Sequence, residues 1–180
     1  KQAVGLDDKE ILSLPFSMSG KRKAEKKEHE NSIRQIEALL ETGKNVAMPV
    51  LGDVSVYATW QYLAEEIQAD GYQTVMIPGV TSFCAAAAAA NTGLTQRDLP
   101  LHIVPASYGN LEKQMQPEGN YVLMKSGKKM NQVKEILAKS DRDVLMVENC
   151  GMPQEHIYRS VEEIPDDAGY YSLIIAKEKK

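Results

Sequence analysis

The sequence predicts an α/β protein of two α/β domains, each a mostly parallel or mixed sheet with flanking helices. Three observations lead there. Apolar stretches alternate with amphipathic helical ones along the whole chain. Two of the apolar stretches, Val46 to Leu51 and Tyr72 to Ile77, run into helices through glycine-containing turns. The pattern breaks at Asn91 to Pro100, a loop-like run, and then resumes. That break sets the expected domains at residues 1–95 and 96–180, and 180 residues can bury a core in either arrangement.

The elements follow in order. Glu10 to Met18 alternates partly before Pro15 and reads as a short strand. A helix is expected over Lys21 to Thr42. Its charged first half, Lys21 to His29, is a solvated end, and its second half puts Ile33, Ile36, Leu39 and Leu40 on one face. Gly43 stops it, and Asn45 to Leu51 forms the next strand. Val56, Trp60, Leu63, Ala64 and Ile67 then recur at helical spacing until Gly71, and Tyr72 to Ile77 returns as a strand, which implies a parallel pair with a right-handed crossover. Ser82 and the alanines Ala85 to Ala90 make a thin helix, with Thr81 and Ser82 where capping hydroxyls belong. Beyond the break, strands are expected at Leu101 to Val104, Tyr121 to Lys125, Asp143 to Val147 and Tyr170 to Ala176, with a further one at Gln154 to Ser160. Helices fall near Leu111 and over Met130 to Lys139.

Composition excludes several functions. A net charge of -4 and a pI near 5.5 argue against a nucleic-acid binder, and glutamates interleave the one lysine-rich run. The longest uncharged stretch, Gly71 to Gln96, contains Pro78 and a mostly alanine helix, so no membrane span is expected. Cys84 and Cys150 lack metal-ligand spacing and read as buried or half-buried free thiols. With no signal peptide, they suggest a reducing, cytoplasmic setting. His29, His102 and His156 are scattered, and neither a nucleophile elbow, a phosphate loop nor a dinucleotide fingerprint is present.

A reaction that needs no protein nucleophile suits this inventory, and methyl transfer from a sulfonium donor is one. Placing the methyl group in line with the attacking atom can lower a barrier by ~7 to 11 kcal/mol. Gly52 suits such a task, because it admits close approach of a ligand at the carboxyl end of a strand. Asp53 or Ser55 can cap the helix that follows.

Leu51-Gly-Asp-Val-Ser-Val-Tyr57, Ile77-Pro-Gly-Val-Thr-Ser82, Glu148-Asn-Cys-Gly151 and Tyr171-Ser-Leu-Ile-Ile175 occur in an order and spacing that resemble the tetrapyrrole methyltransferases. Within them, Pro15-Phe-Ser-Met18, Val104-Pro-Ala-Ser-Tyr-Gly109 and Val122-Leu-Met-Lys125 resemble the precorrin-2 C20-methyltransferases of cobalamin biosynthesis. The resemblance covers nearly the whole chain. It implies a tetrapyrrole-methylase-like fold, S-adenosylmethionine in a cleft between two domains, and a homodimer. It also implies that Leu51, Gly52, Asp53, Val56 and Tyr57 line one side of the donor, Thr81 and Ser82 another, with Met124 or Lys125 and Ser172 added by the second domain. The implied substrate is precorrin-2 or its cobalt form, attacking from C20, so cobalt would arrive within the substrate and not as a protein-bound metal. No catalytic base is assigned.

Two departures accompany the resemblance. Family members begin with a strand and a Gly-x-Gly-Pro-Gly-Asp-Pro loop, and nothing before Lys9 matches it; the expectation is a fragment of a longer protein, truncated at its start, whose own turnover is open. Val54 stands where the family commonly has proline, with a small expected effect. The alternatives are a non-catalytic tetrapyrrole-binding or interaction module, a sister corrin methyltransferase acting at another ring position, and an α/β hydrolase using Ser82.

Overall fold

A computed structural model of the protein describes residue 6, residues 8–16 and residues 22–179, the side chains of residues 22–25 excepted. The chain divides into two compact units, Lys1–Gly79 and Val80–Lys180.

In the first unit, helices α1 (Arg22–Leu40) and α2 (Trp60–Ala69) form because apolar residues recur three and four apart. Ile33 and Ile36 of α1 are buried with Leu63 and Ile67 of α2, and Leu14, Phe16, Leu40, Met48 and Tyr72 pack at the margin. Gly71, at φ 93°, ends α2. The N–H of Gly71 reaches Gln68 O at 3.0 Å and that of Tyr72 reaches Ile67 O at 3.2 Å, a doubly bonded C-terminal cap that a side chain at Gly71 would strain. The helix expected over Lys21 to Thr42 matches α1 as far as Leu40; Glu41 and Thr42 lie in a turn, and Lys21 lies outside the described residues.

Three expected strands are corrected. Residues 10–16 are irregular, and Ser17 and Met18 lie outside the described residues. Asn45 to Leu51 and Tyr72 to Ile77 are not strands either, so the crossover unit expected from them does not form among the described residues. The reason is physical. Alternation buries one face, but a strand exists only when its N–H and C=O groups meet a ladder partner. These two segments instead line a hollow of about 540 Å³, with Val46, Met48 and Val50 from one and Gln73, Val75 and Ile77 from the other.

The second unit is a five-stranded mixed sheet. Its strands are β1 (Leu101–Pro105), β2 (Asn120–Met124), β3 (Arg142–Glu148), β4 (His156–Tyr158) and β5 (Ser172–Glu178), in the order β1-β2-β5-β3-β4. Only β1 and β2 pair in parallel; β5 runs antiparallel to β2 and β3, and β4 antiparallel to β3. Central β2 and β5 carry continuous buried runs, as strands covered on both faces do. Helix α5 (Met130–Lys139) buries Met130, Val133 and Leu137 in a core with Leu123, Met146 and Ile174, and α4 (Leu111–Gln114) adds Leu111.

Helix α3 (Ser82–Ala89) buries Phe83, Ala86 and Ala87 and packs against β5, where small side chains permit close approach. The following loop is tied to the same sheet. Lys177 Nζ donates to Thr92 Oγ1 at 2.9 Å and Asn120 Nδ2 to Leu94 O at 2.9 Å. The sequence pattern groups residues up to 95 with the first domain, whereas α3 and this loop sit with the second unit. Among the described residues, no helix is long and apolar enough to cross a membrane, and no acidic, histidine or cysteine cluster could hold a metal. Both cysteines are free; Cys150 is half-buried, but Cys84 is exposed and not buried as expected.

Candidate functional site

In the first unit the informative geometry centres on Asp53. The chain turns at Gly52, whose φ of 99° is open to glycine and costly for other residues. Asp53 Oδ1 then accepts the Ser55 N–H at 2.8 Å and the Ser55 hydroxyl, closing an Asx turn. Its other oxygen, Oδ2, accepts the N–H of Gly79 at 2.8 Å, 26 residues away in sequence. One carboxylate therefore braces both glycine turns. The Ser55 hydroxyl and amide, and then the Gly79 amide, hold Asp53 below the usual carboxylate range. The turns touch: a Cβ added at Gly79 would stand 3.3 Å from Gly52 C and closer still to its oxygen.

Capping of α2 by Asp53 or Ser55 is thus corrected. The N-cap is Thr59, which makes no side-chain cap bond, and Asp53 is committed to the turns. Around it Leu51 and Tyr57 are exposed, Tyr57 in the left-handed region at φ 51°. Val56 is half-buried and donates its N–H to Asp53 O at 3.3 Å.

In the second unit Thr81 stands at the N-cap of α3 with extended backbone, yet its hydroxyl makes no cap bond, which corrects the expected capping role. Thr81 Oγ1 is buried with no hydrogen-bond partner among the described residues. Leaving a buried hydroxyl unsatisfied costs about 1–3 kcal/mol, so the position suits a polar ligand atom. Ser82 is exposed on the first turn of α3. Sequence reasoning missed a similar group, Ser126, fully buried immediately after the left-handed Lys125, its Oγ without a partner among the described residues. A hydroxyl just past the carboxyl end of a strand is the signal that could have found it.

The sheet gathers the remaining expected residues. Because β2 and β3 both oppose β5, the ends of β1, β2 and β3 and the start of β5 share one edge, with Pro105 opposite Met124 and Glu148 opposite Ser172. Met124 and Lys125 leave β2 there. Ala106 N–H bonds Met124 O at 2.8 Å, and the Ser107 hydroxyl donates to Lys125 O. Ser172 is buried, and its hydroxyl donates to Gly169 O at 2.8 Å. Glu148, the first residue of the Glu148-Asn-Cys-Gly151 motif, accepts the Gly169 N–H and the Tyr158 hydroxyl.

The histidines serve packing. His29 stacks on Tyr62, His102 on Tyr121 while bonding Glu118 O at 2.9 Å, and His156 leans on Tyr158. Within each unit the groups are backbone turns and hydroxyls, equipment for orienting a reactant more than for attacking it.

Comparison with known proteins agrees with that character. The family of tetrapyrrole (corrin/porphyrin) methylases matches residues 3–165. A relative from Salmonella typhimurium, cobalt-precorrin-2 C(20)-methyltransferase, is 30% identical over 173 residues, 92% of this chain and 71% of the relative. The solved structure of a cobalt precorrin-4 methyltransferase superposes with a TM-score of 0.72 at 23% identity, covering 82% of this chain and 70% of that one. A uroporphyrin-III C-methyltransferase from Thermus thermophilus, solved with S-adenosyl homocysteine, gives 0.59 at 21% identity, covering 85% and 73%.

Proposed function

The chain belongs to the tetrapyrrole (corrin/porphyrin) methylases, and from that premise we propose that it transfers the methyl group of S-adenosylmethionine to C20 of precorrin-2 or cobalt-precorrin-2 in cobalamin biosynthesis. The observation that carries the reading is the Asp53 brace, which joins the two turns that the family motifs single out. The Salmonella relative bears this activity in its name, and a by-product of the same donor is bound in the Thermus neighbour. A non-catalytic binding module, a methyltransferase acting at another ring carbon and a serine hydrolase are not favoured by these matches.

When bound, the donor supplies an electrophilic methyl on sulfur. The residues of this chain have to hold and orient it. In the first unit we assign to that task Leu51, Gly52, Val56 and Tyr57, with Asp53 fixing the turn through the bonds its two oxygens accept. In the second unit we assign Thr81, Ser82, Met124, Lys125 and Ser172. The orphaned Thr81 hydroxyl fits a polar donor atom. Cobalt, where present, belongs to the substrate. A homodimer and a cytoplasmic setting complete the proposal.

Titration calorimetry with S-adenosyl homocysteine tests the donor, and single-turnover transfer from labelled S-adenosylmethionine to cobalt-precorrin-2 tests the acceptor. Saturable heat and label at C20 are expected. No heat at millimolar ligand, or label on another carbon, would overturn the corresponding half of the reading.

A further inference from the structure

At the shared edge of the second unit, one carboxylate holds a loop. Glu148 Oε1 accepts the Gly169 N–H at 2.7 Å, and Oε2 accepts the Tyr158 hydroxyl at 3.2 Å. Two more bonds close on the same segment: the Ser172 hydroxyl donates to Gly169 O at 2.8 Å, and the Asn149 N–H to Tyr171 O at 2.9 Å. On another side it lies against Gly127, where an added Cβ would come within 3.1 Å of Ala168 O and 3.2 Å of Gly169 O. The segment fixed in this way presents Tyr170 and Tyr171, 61% and 53% exposed, with their rings edge to face at 5.5 Å. Core packing does not account for two open rings on so restrained a loop, since buried aromatics are what stabilise a fold.

We propose that Glu148 is a positioning residue: its carboxylate sets the Gly169–Ser172 segment at the ligand edge, and with it Ser172 and the two tyrosine rings. The ligand side of the inference rests on the methyl-donor reading. A carboxylate suits the role because a charged acceptor binds an amide more strongly than a neutral one. Glutamine keeps an oxygen for Gly169 and a polar contact for Tyr158; alanine loses both.

The test compares Glu148→Ala and Glu148→Gln in the whole chain by amide hydrogen exchange and by calorimetry with S-adenosyl homocysteine. Glu148→Ala is expected to speed exchange at Gly169 about tenfold while Ile174 and Ile175 of β5 keep their rates, and to weaken ligand binding about tenfold. Glu148→Gln is expected to fall about midway on both readouts. Unchanged exchange at Gly169, or exchange rising equally along β5, overturns the inference. If Glu148→Ala does not fold, the Gln variant decides, with wild-type exchange at Gly169 as the overturning result. Faster exchange with undiminished affinity overturns the link to the ligand. A wild-type protein that binds no S-adenosyl homocysteine overturns the methyl-donor reading instead, and the exchange rates still decide whether Glu148 holds the segment.

Discussion

Replacing Gly79 with alanine adds one methyl group at the contact of the two turns. The φ of Gly79 lies outside the left-handed region, so alanine is compatible with its backbone and the whole effect is steric. The new Cβ would stand 3.3 Å from Gly52 C and 3.6 Å from Asp53 Cα, and nearer to Gly52 O than the 3.0 Å that real Cβ atoms respect. To restore ordinary contact the Gly52 carbonyl must retreat by about 1 Å, comparable to other overpacked sites that cost about 1–3 kcal/mol. The neighbour is backbone and cannot swing aside as a flexible side chain would. Carried into Asp53, the same retreat should weaken the 2.8 Å bond from Gly79 N–H to Asp53 Oδ2. Urea unfolding followed by tryptophan fluorescence reads the change, since Trp60 opens α2 in the same unit. The midpoint should fall, and affinity for S-adenosyl homocysteine should fall about tenfold, because a 1 Å displacement of a positioning turn is costly. A Gly79→Ala variant with the wild-type midpoint and affinity would refute the close approach of the turns.

Other perturbations test separate parts. Asp53→Asn bears on pH: the native carboxylate is held below its ordinary value of 3.8, so its stabilisation is full above that value and is lost as pH falls through the lower folded one. The variant should show a flatter loss of stability in acid, measured by urea titration at several pH values. Glu37 has the opposite sign. Burial, and then the hydrogen bond and charge of Asp70, raise it above 4.5, so it favours the folded state in acid and that contribution disappears as pH rises through the raised value. Glu37→Gln should therefore gain on wild type toward neutral pH in the same titration. Asn120→Ala strips a buried hub, leaving Leu94 O and the Glu178 N–H without their 2.9 Å partners, and should cost about 2–4 kcal/mol by urea unfolding monitored through circular dichroism.

The second unit was legible because each of its elements combines a local period with a partner near in the sheet. Met130 to Lys139 is the helix that its spacing of Met130, Val133 and Leu137 demands, and even the three-residue β4 lies within the stretch expected to pair. The first unit shows where pattern fails. Val46 to Leu51 has the apolar content of a strand, but content says nothing of whether a neighbour supplies a ladder, and here the neighbouring segment flanks a hollow. The site divides in the same way. Gly52 and Asp53 stand out in the sequence through turn chemistry alone. The bond from Asp53 to Gly79 spans 26 residues and leaves no local trace, which is why turn chemistry points to a cap at Asp53 where the fold makes a brace. Ser126 and the bonding role of Glu148 escape sequence reasoning for a related reason, since their importance lies in what they meet, or fail to meet, across the sheet edge.

The stretch before Gly79 also sets how the protein must be handled. Val75 and Ile77 are 84% and 81% exposed on backbone that belongs to no sheet, and such a surface is adhesive toward any extended polypeptide that drifts against it. Near pH 5.5 the molecules carry little net charge to keep them apart, and sulfate or phosphate would tighten apolar association further. Dilute stocks in a mildly alkaline, low-sulfate buffer follow directly, with light scattering against concentration as the gauge of colloidal health.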